Sequence, residues 1–241
     1  MKKYNAVLAL LSGLALSSGA QAELYWQDFS LSYLNGKNYQ AGDDHRQVLT
    51  VEHASGQSWG DTYFFMDRLR SSDGSNETYY ELSPRLGIGA VTGNDLSFGP
   101  VKDIYIATTM EGGSAGNGFN NYLYGLGVSL DIPGFKYANV NIYKANNDSG
   151  VNDEQLTLTW GYPFSLGSAE FLYDGFLDWT SAGSGKASEM NFTSQLKYDL
   201  GKSLGLKSRL YVGMEYAYWS NKFGVAALDE RNPALLVKYH F

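Results

Sequence analysis

Asp61, Tyr63, Phe65 and Asp67 stand two residues apart, so any extended segment that carries them presents two carboxylates and two aromatic rings on one face. Rings stack on flat solutes, and ionised carboxylates accept hydrogen bonds from hydroxyls. That is chemistry for holding a small polar ring compound in transit rather than for breaking bonds. Glu52, the pair Glu81 and Arg85, and Asp103 with Tyr105 extend the set. An acid and a base four residues apart share a strand face and set a field across the space they look into, and Asp103 and Tyr105 can face them from the next strand. The plainer reading of each residue is that it solvates or fills a polar interior.

Bond-breaking constellations are missing from the chain. Its three histidines, His45, His53 and His240, lack His-x-x-x-His spacing, and no Gly-x-Ser-x-Gly elbow occurs. Gly112 to Gly118 has no phosphate-loop spacing, and Gly183-Ser184-Gly185-Lys186 lacks the earlier glycine of a Walker loop. With no cysteine there is no disulfide, thiolate ligand or thiol nucleophile. The expectation is a non-enzyme with no cofactor and no metal.

The elements that must position the acids and rings are strands. Twelve alternating segments fall near 24–34, 46–54, 61–70, 77–89, 101–111, 119–130, 136–145, 154–163, 169–180, 188–199, 207–220 and 231–241. In the eleventh, Leu210, Val212, Met214, Tyr216 and Tyr218 oppose Arg209, Tyr211, Gly213, Glu215, Ala217 and Trp219. Polar connections such as 71–76, 112–118 and 146–150 alternate with compact turns such as 131–134 and 163–167. No apolar run past the first residues reaches the ~20 residues of a spanning helix, so a membrane crossing requires a closed barrel. The fold class expected is all-β, a single transmembrane barrel of twelve antiparallel strands, a number that leaves a narrow conduit.

If apolar side chains face lipid, the inward set holds Glu52, Asp61, Asp67, Glu81, Asp103, Glu111, Glu170, Asp174, Asp178, Glu189, Asp199 and Glu215 against Arg85, Lys197, Arg209 and Lys238. Tyr63, Phe65, Tyr79, Tyr105, Phe176, Tyr211 and Trp219 supply rings on the same side. Such a lumen repels anions and suits a flat neutral ring bearing a polar sugar, with carbohydrate suited nearly as well.

The chain's two ends fit an exported barrel. Met1 to Lys3, the apolar stretch Ala6 to Leu16 and Ala20-Gln21-Ala22 read as a signal peptide over 1–22, leaving a barrel over 23–241. Removing Lys2 and Lys3 from 18 basic residues leaves 16 against 25 acidic ones, a net charge of −9, which argues against nucleic acid as a partner. Tyr239 and Phe241 resemble the terminal aromatic signal that barrel-assembly machinery reads, so that machinery, outer-membrane lipid and small solutes are the partners expected.

Glu81-Leu82-Ser83-Pro84-Arg85-Leu86-Gly87-Ile88, followed by Leu96-Ser97-Phe98-Gly99-Pro100-Val101-Lys102-Asp103, closely resembles the Tsx-type nucleoside-specific channels of Gram-negative outer membranes. Glu52 in Leu49 to Ala54 and the Asp61, Tyr63, Phe65, Asp67 alternation are similar to the same family. The resemblance implies a monomeric twelve-stranded channel in the outer membrane that passes nucleosides by diffusion and offers phages or bacteriocins a surface receptor. Asn94 to Pro100 fall in a periplasmic connection, which makes that stretch a structural turn. The short outer loops and Ser83, where a second acid is expected, depart from the pattern. The alternatives are a general cation-preferring pore and a receptor barrel with no permeant.

Overall fold

A computed structural model describes residues 22–241; the signal-peptide stretch falls almost wholly outside them. Twelve antiparallel strands close into one barrel: β1 (Leu24–Gly36), β2 (Arg46–Gln57), β3 (Gly60–Ser71), β4 (Asn76–Gly87), β5 (Val101–Gly113), β6 (Phe119–Leu130), β7 (Tyr137–Asn146), β8 (Glu154–Leu166), β9 (Ala169–Thr180), β10 (Glu189–Asp199), β11 (Leu210–Ser220) and β12 (Glu230–His240). Neighbours in sequence pair throughout, and β1 meets β12 from Ser30–His240 to Gly36–Ala234. Closure leaves no backbone edge to solvate in lipid.

Stepping from each residue to its paired position once round the wall, Ser30 returns to position 46 of its own strand, an offset of 16 residues. For twelve strands that shear tilts them by about 45° and puts the backbone about 12 Å from the axis, enough to leave a bore between inward side chains. Parity is kept all the way round, so one set of alternate residues faces the lumen on every strand.

The lipid face follows the apolar rule, with Leu126, Ile142, Leu196 and Leu235 well exposed. Near the end carrying Phe241 an aromatic girdle runs Phe135, Tyr162, Phe164, Phe171, Tyr198, its neighbouring ring centroids 5.2–6.2 Å apart. At the seam the Phe241 ring lies tilted against that of Phe29 at 5.3 Å, and the Phe241 N–H donates to the Phe29 carbonyl at 3.0 Å.

Three expectations change. The rule that apolar means lipid-facing fails at Leu34, Val48, Leu69 and Leu236, which lie on the lumen parity and form an internal cluster with Ala234 and Tyr39. Next, the fourth segment ends at Gly87 rather than 89, because Ile88–Thr92 turn into a short helix, α1. The Asp103 carboxylate accepts the Gly89 N–H at 3.2 Å, and Gly93 ends the helix at a left-handed φ of 71°. The eleventh segment likewise begins at Leu210 rather than 207, behind α2 (Leu200–Ser203), whose Lys202 N–H is capped by Asp199 at 2.8 Å. Asn94 to Pro100 do form a turn, with Phe98 and Val101 exchanging backbone hydrogen bonds at 3.0 and 2.9 Å.

The first loop, 37–45, is no plug by length, yet it bends over the lumen. Asn38 N–H donates to Asn232 at 3.0 Å and Gln40 N–H to Glu230 at 2.7 Å, both inward on β12. Ala41 and Gly42 reverse the chain at φ 68° and 101°, and Arg46 holds the reversal by donating to the Ala41 and Asp43 carbonyls. The positive φ of Gly42 favours glycine, and a β-carbon there, 2.6 Å from the Arg46 guanidinium, would displace the arginine that holds the reversal.

Asp43 ties this loop to the next one. Its carboxylate accepts the Ser72 hydroxyl at 2.7 Å and the Asp73 N–H at 2.8 Å, bonds that pull its pKa down to about 2. A depressed carboxylate stabilises the folded arrangement above its free pKa near 3.8 and stops doing so as pH falls through about 2. In carbon-13-labelled micelle-bound protein the Asp43 carboxyl shift should titrate near pH 2; a midpoint near 3.8 would show the tie is not formed.

Candidate functional site

All nine residues singled out from the sequence face the lumen. Glu52, Asp61, Tyr63, Phe65, Asp67, Glu81, Arg85, Asp103 and Tyr105 share the inward parity of β2 to β5. They do not form one cluster. Strand direction spreads them over a lower half, toward the chain termini, and an upper half, toward the loops.

Arg85 dominates the lower half. Its Nε and Nη2 grip Asp61 at 2.8 and 2.6 Å, the two-pronged geometry that makes an arginine–carboxylate pair strong. The guanidinium also reaches Asn139 at 3.1 Å and Asn141 at 3.4 Å on β7, and Asn139 passes the chain on to Thr159 of β8 at 3.0 Å. Two strands lie between β4 and β7, and the residues they turn inward there are small: Ala107, Gly125 and Gly127. A β-carbon on Gly127 would sit 2.1 Å from the Asn141 oxygen, so its absence opens the slot for the brace. Tyr105 lies beneath, its ring 4.4 Å from the guanidinium.

The facing wall is braced too. Lys238 pairs with Glu52 at 2.5 Å, and Glu52 accepts from Tyr63 at 2.8 Å. Lys197, with its side chain 1% exposed, reaches Asp174 at 2.6 Å and Gln195 at 3.0 Å. Taking one partner from such a buried pair strands the other, a cost of about 3–5 kcal/mol. Lys197→Ala should therefore shift the denaturant midpoint in detergent clearly downward, and Lys197→Ala with Asp174→Ala should recover part of the loss; an unmoved midpoint would mean that lumen water already solvates Asp174.

The upper half differs in charge. Among the described residues Asp67, Glu81, Glu111, Asp178 and Glu215 have no basic side chain within 4.0 Å. Neutral donors hold them instead: Thr50 on Asp67 at 2.6 Å, Thr157 on Asp178 at 2.5 Å, and Gln195 on Glu215 at 2.7 Å. The Tyr79 hydroxyl stands 2.5 Å from Glu81 and 2.8 Å from Glu111, although one phenol proton can serve only one of them at a time. Along this acidic wall the rings of Tyr63, Phe65, Tyr79 and Phe119 follow one another at 5.9, 5.7 and 6.3 Å, a continuous aromatic run from mid-lumen to the loop end. Tyr63 remains 41% exposed although it lies deep within the barrel, so its ring borders open space.

Two expectations about pairing are corrected. Arg85 serves Asp61 rather than setting a field with Glu81, because Glu81 points to the Tyr79–Glu111 group one turn of the alternation higher. Asp103 faces neither of them. It sits at the lower mouth, supporting α1, in a vestibule of about 580 Å³ that Tyr25, Trp26, Asp61 and Tyr105 also line. Phe119, Asn139 and Asn141 were not among the residues chosen from the sequence; the alternation of β7 marks the last two, but only the register against β6 and β8 fixes which side is inward.

Comparison with known proteins places this architecture. The outer membrane protein OmpK of Vibrio parahaemolyticus is 30% identical over 167 residues, 64% of this chain and 63% of that protein. The nucleoside-specific channel-forming protein Tsx of Salmonella typhimurium is 26% identical over 197 residues, 71% of this chain and 64% of that protein. The chain thus spans just under two thirds of the length of these relatives. Among solved structures the KdgM porin matches with a TM-score of 0.54 and 14% identity over 88% of this chain and 99% of that one, a likeness of fold. The family described as "Nucleoside-specific channel-forming protein, Tsx" matches residues 21–241, and the chain is a member of that family of outer-membrane barrels.

Proposed function

We propose that the protein is a diffusion channel for nucleosides, or for similar small neutral base–sugar solutes. The observation that carries this is the aromatic run Tyr63, Phe65, Tyr79, Phe119, bordered by carboxylates that have no basic side chain within 4.0 Å among the described residues. A base stacks on each ring in turn while Asp67, Glu81 and Glu111 accept hydrogen bonds from the sugar hydroxyls. No ring holds the solute tightly, which suits passage. The braced lower belt of Arg85–Asp61, Glu52–Lys238 and Lys197–Asp174 then forms a narrow, charge-balanced exit past Tyr105 and Asp103. Phosphorylated solutes are turned away by the acids of the upper half.

Export by a cleaved leader over 1–22, insertion of a monomer through the assembly machinery at Phe241, and use of the loops by a phage or bacteriocin belong to the same proposal. The test is single-channel conductance in a planar bilayer, titrated with adenosine, thymidine, a free sugar and a nucleotide. Block by the nucleosides alone supports the reading. An open current that none of them blocks would leave a general cation-preferring pore, and no current would leave a receptor barrel.

A further inference from the structure

The outer wall carries charges that the channel does not use. On β3 the parity that turns Asp67 inward turns Arg68 and Arg70 toward lipid, close to the loop end, and both are exposed. Arg70 pairs with Gln47, Gln47 with Asn35 and Asn35 with Leu235. Because the wall shears by 16 residues over twelve strands, a line at constant height departs from these pairings by about one and a third residues per strand. Three strands shift it by about four residues, from Leu235 to Arg231 on β12. On the way the line passes His45, just before β2, and Lys37, just after β1.

Arg68 and Arg70 of β3, Lys37 just after β1 and Arg231 of β12 therefore lie near one height on the lipid side. Arg68 is held against the wall by its bond to Thr78 at 3.0 Å, and Arg231 lies 5.5 Å from the Tyr218 ring. The acids nearby are otherwise engaged. Glu77 lies on the lumen parity and pairs with Arg46, Asp43 is tied to Ser72 and Asp73, Asp73 accepts the Ser75 N–H, and Asp229 accepts the Asn221 N–H. Asp44 is exposed beyond the band, and among the described residues none of these carboxylates lies within 4.0 Å of Arg68, Arg70, Arg231 or Lys37. Elsewhere the lipid-facing base at this height is cancelled, as where Lys144 pairs with Glu154 at 3.3 Å. Basic side chains with no ion-pair partner on a chain of net charge −7 mark a place where negative charge comes from outside.

We propose that this strip, centred on Arg68, Arg70 and Arg231, binds the phosphate groups of the phosphorylated glycolipid of the outer leaflet. In an outer-membrane barrel the loop end faces that leaflet. Arginine is the side chain whose fork matches phosphate oxygens, and the apolar wall below the strip meets the acyl chains.

The test uses the purified folded protein in detergent and native mass spectrometry, with diphosphoryl lipid A, its dephosphorylated form and phosphatidylglycerol as probes. The expected result is retention of diphosphoryl lipid A at least tenfold above the dephosphorylated form, and at least a tenfold loss of that retention in R68A/R70A/R231A. Equal retention of the two lipid A forms would overturn the proposal, and so would an unchanged triple variant that keeps its resistance to SDS without heating. Phosphatidylglycerol held as well as lipid A would overturn the commitment to the glycolipid. Should the triple variant fail to fold, the comparison of the two lipid A forms on the unaltered protein still decides.

Discussion

Arg85→Ala is expected to destabilise the barrel by about 3 kcal/mol and to widen its narrowest passage. The magnitude follows from what the substitution strands: the Asp61 carboxylate loses both prongs of its partner, and Asn139 and Asn141 lose the donor that joins them to β4. Removing one member of a buried pair costs about 3–5 kcal/mol. The lower end applies, because the Asp61 side chain keeps 25% of its surface toward lumen water. The brace also crosses over the small residues Ala107, Gly125 and Gly127, so its loss clears a slot that no neighbouring side chain fills. Single-channel conductance should therefore rise, and the reversal potential in a salt gradient should move toward cations; Arg85→Glu should move it further. Pairing Arg85→Ala with Asp61→Ala in a double-mutant cycle separates the ion pair from the loss of packing. A midpoint and a reversal potential that both stay put would show that the guanidinium neither braces the wall nor lines the current path.

Much of this site was legible in the sequence because a strand has a period of two and a barrel keeps one parity all the way round. The two-residue spacing of Asp61, Tyr63, Phe65 and Asp67 is sufficient to put them on one face, and their charge is sufficient to choose the face. Where a strand turns apolar residues inward the same logic misleads. On the apolar rule alone Leu34, Val48, Leu69 and Leu236 would face lipid, but they share the parity of Glu52 and Asp67 and line the upper lumen, where loop 37–45 brings Tyr39 over them and makes that patch of the interior dry. Pairing partners were less legible than faces. Nothing local says that Arg85 prefers Asp61 on the preceding strand to Glu81 four residues before it; register puts Asp61 directly opposite Arg85 and Phe65 opposite Glu81. The Arg85 reach to β7 depends on glycines two strands away, a relation that exists only once the wall is closed.

Phe65→Ala and Tyr79→Ala are each expected to weaken nucleoside block of the current by about 1–3 kcal/mol, roughly a 5- to 150-fold loss in affinity, if a base stacks on these rings. The two differ in what else they remove. Phe65 contributes a ring alone, set between Tyr63 at 5.9 Å and Tyr79 at 5.7 Å, so its loss breaks the run into two separated platforms. Tyr79 contributes a ring and also the phenol between Glu81 and Glu111; without it the two carboxylates face each other with no shared donor. Tyr79→Phe keeps the platform and deletes only the hydroxyl. If stacking holds the solute, Tyr79→Phe should retain most of the block at every base while Tyr79→Ala loses it. If the carboxylates hold the sugar and the ring merely fills space, the two variants should weaken block alike, and a free sugar should compete as well as adenosine. A base that can rest on either ring also predicts that the double variant Phe65→Ala with Tyr79→Ala loses more than the sum of the single losses, since each single variant leaves the other ring to take the base while the double leaves only Tyr63 and Phe119. Full additivity would instead mark Phe65 and Tyr79 as independent contacts to one bound base, and unchanged block by every base would remove the aromatic run from the permeation path.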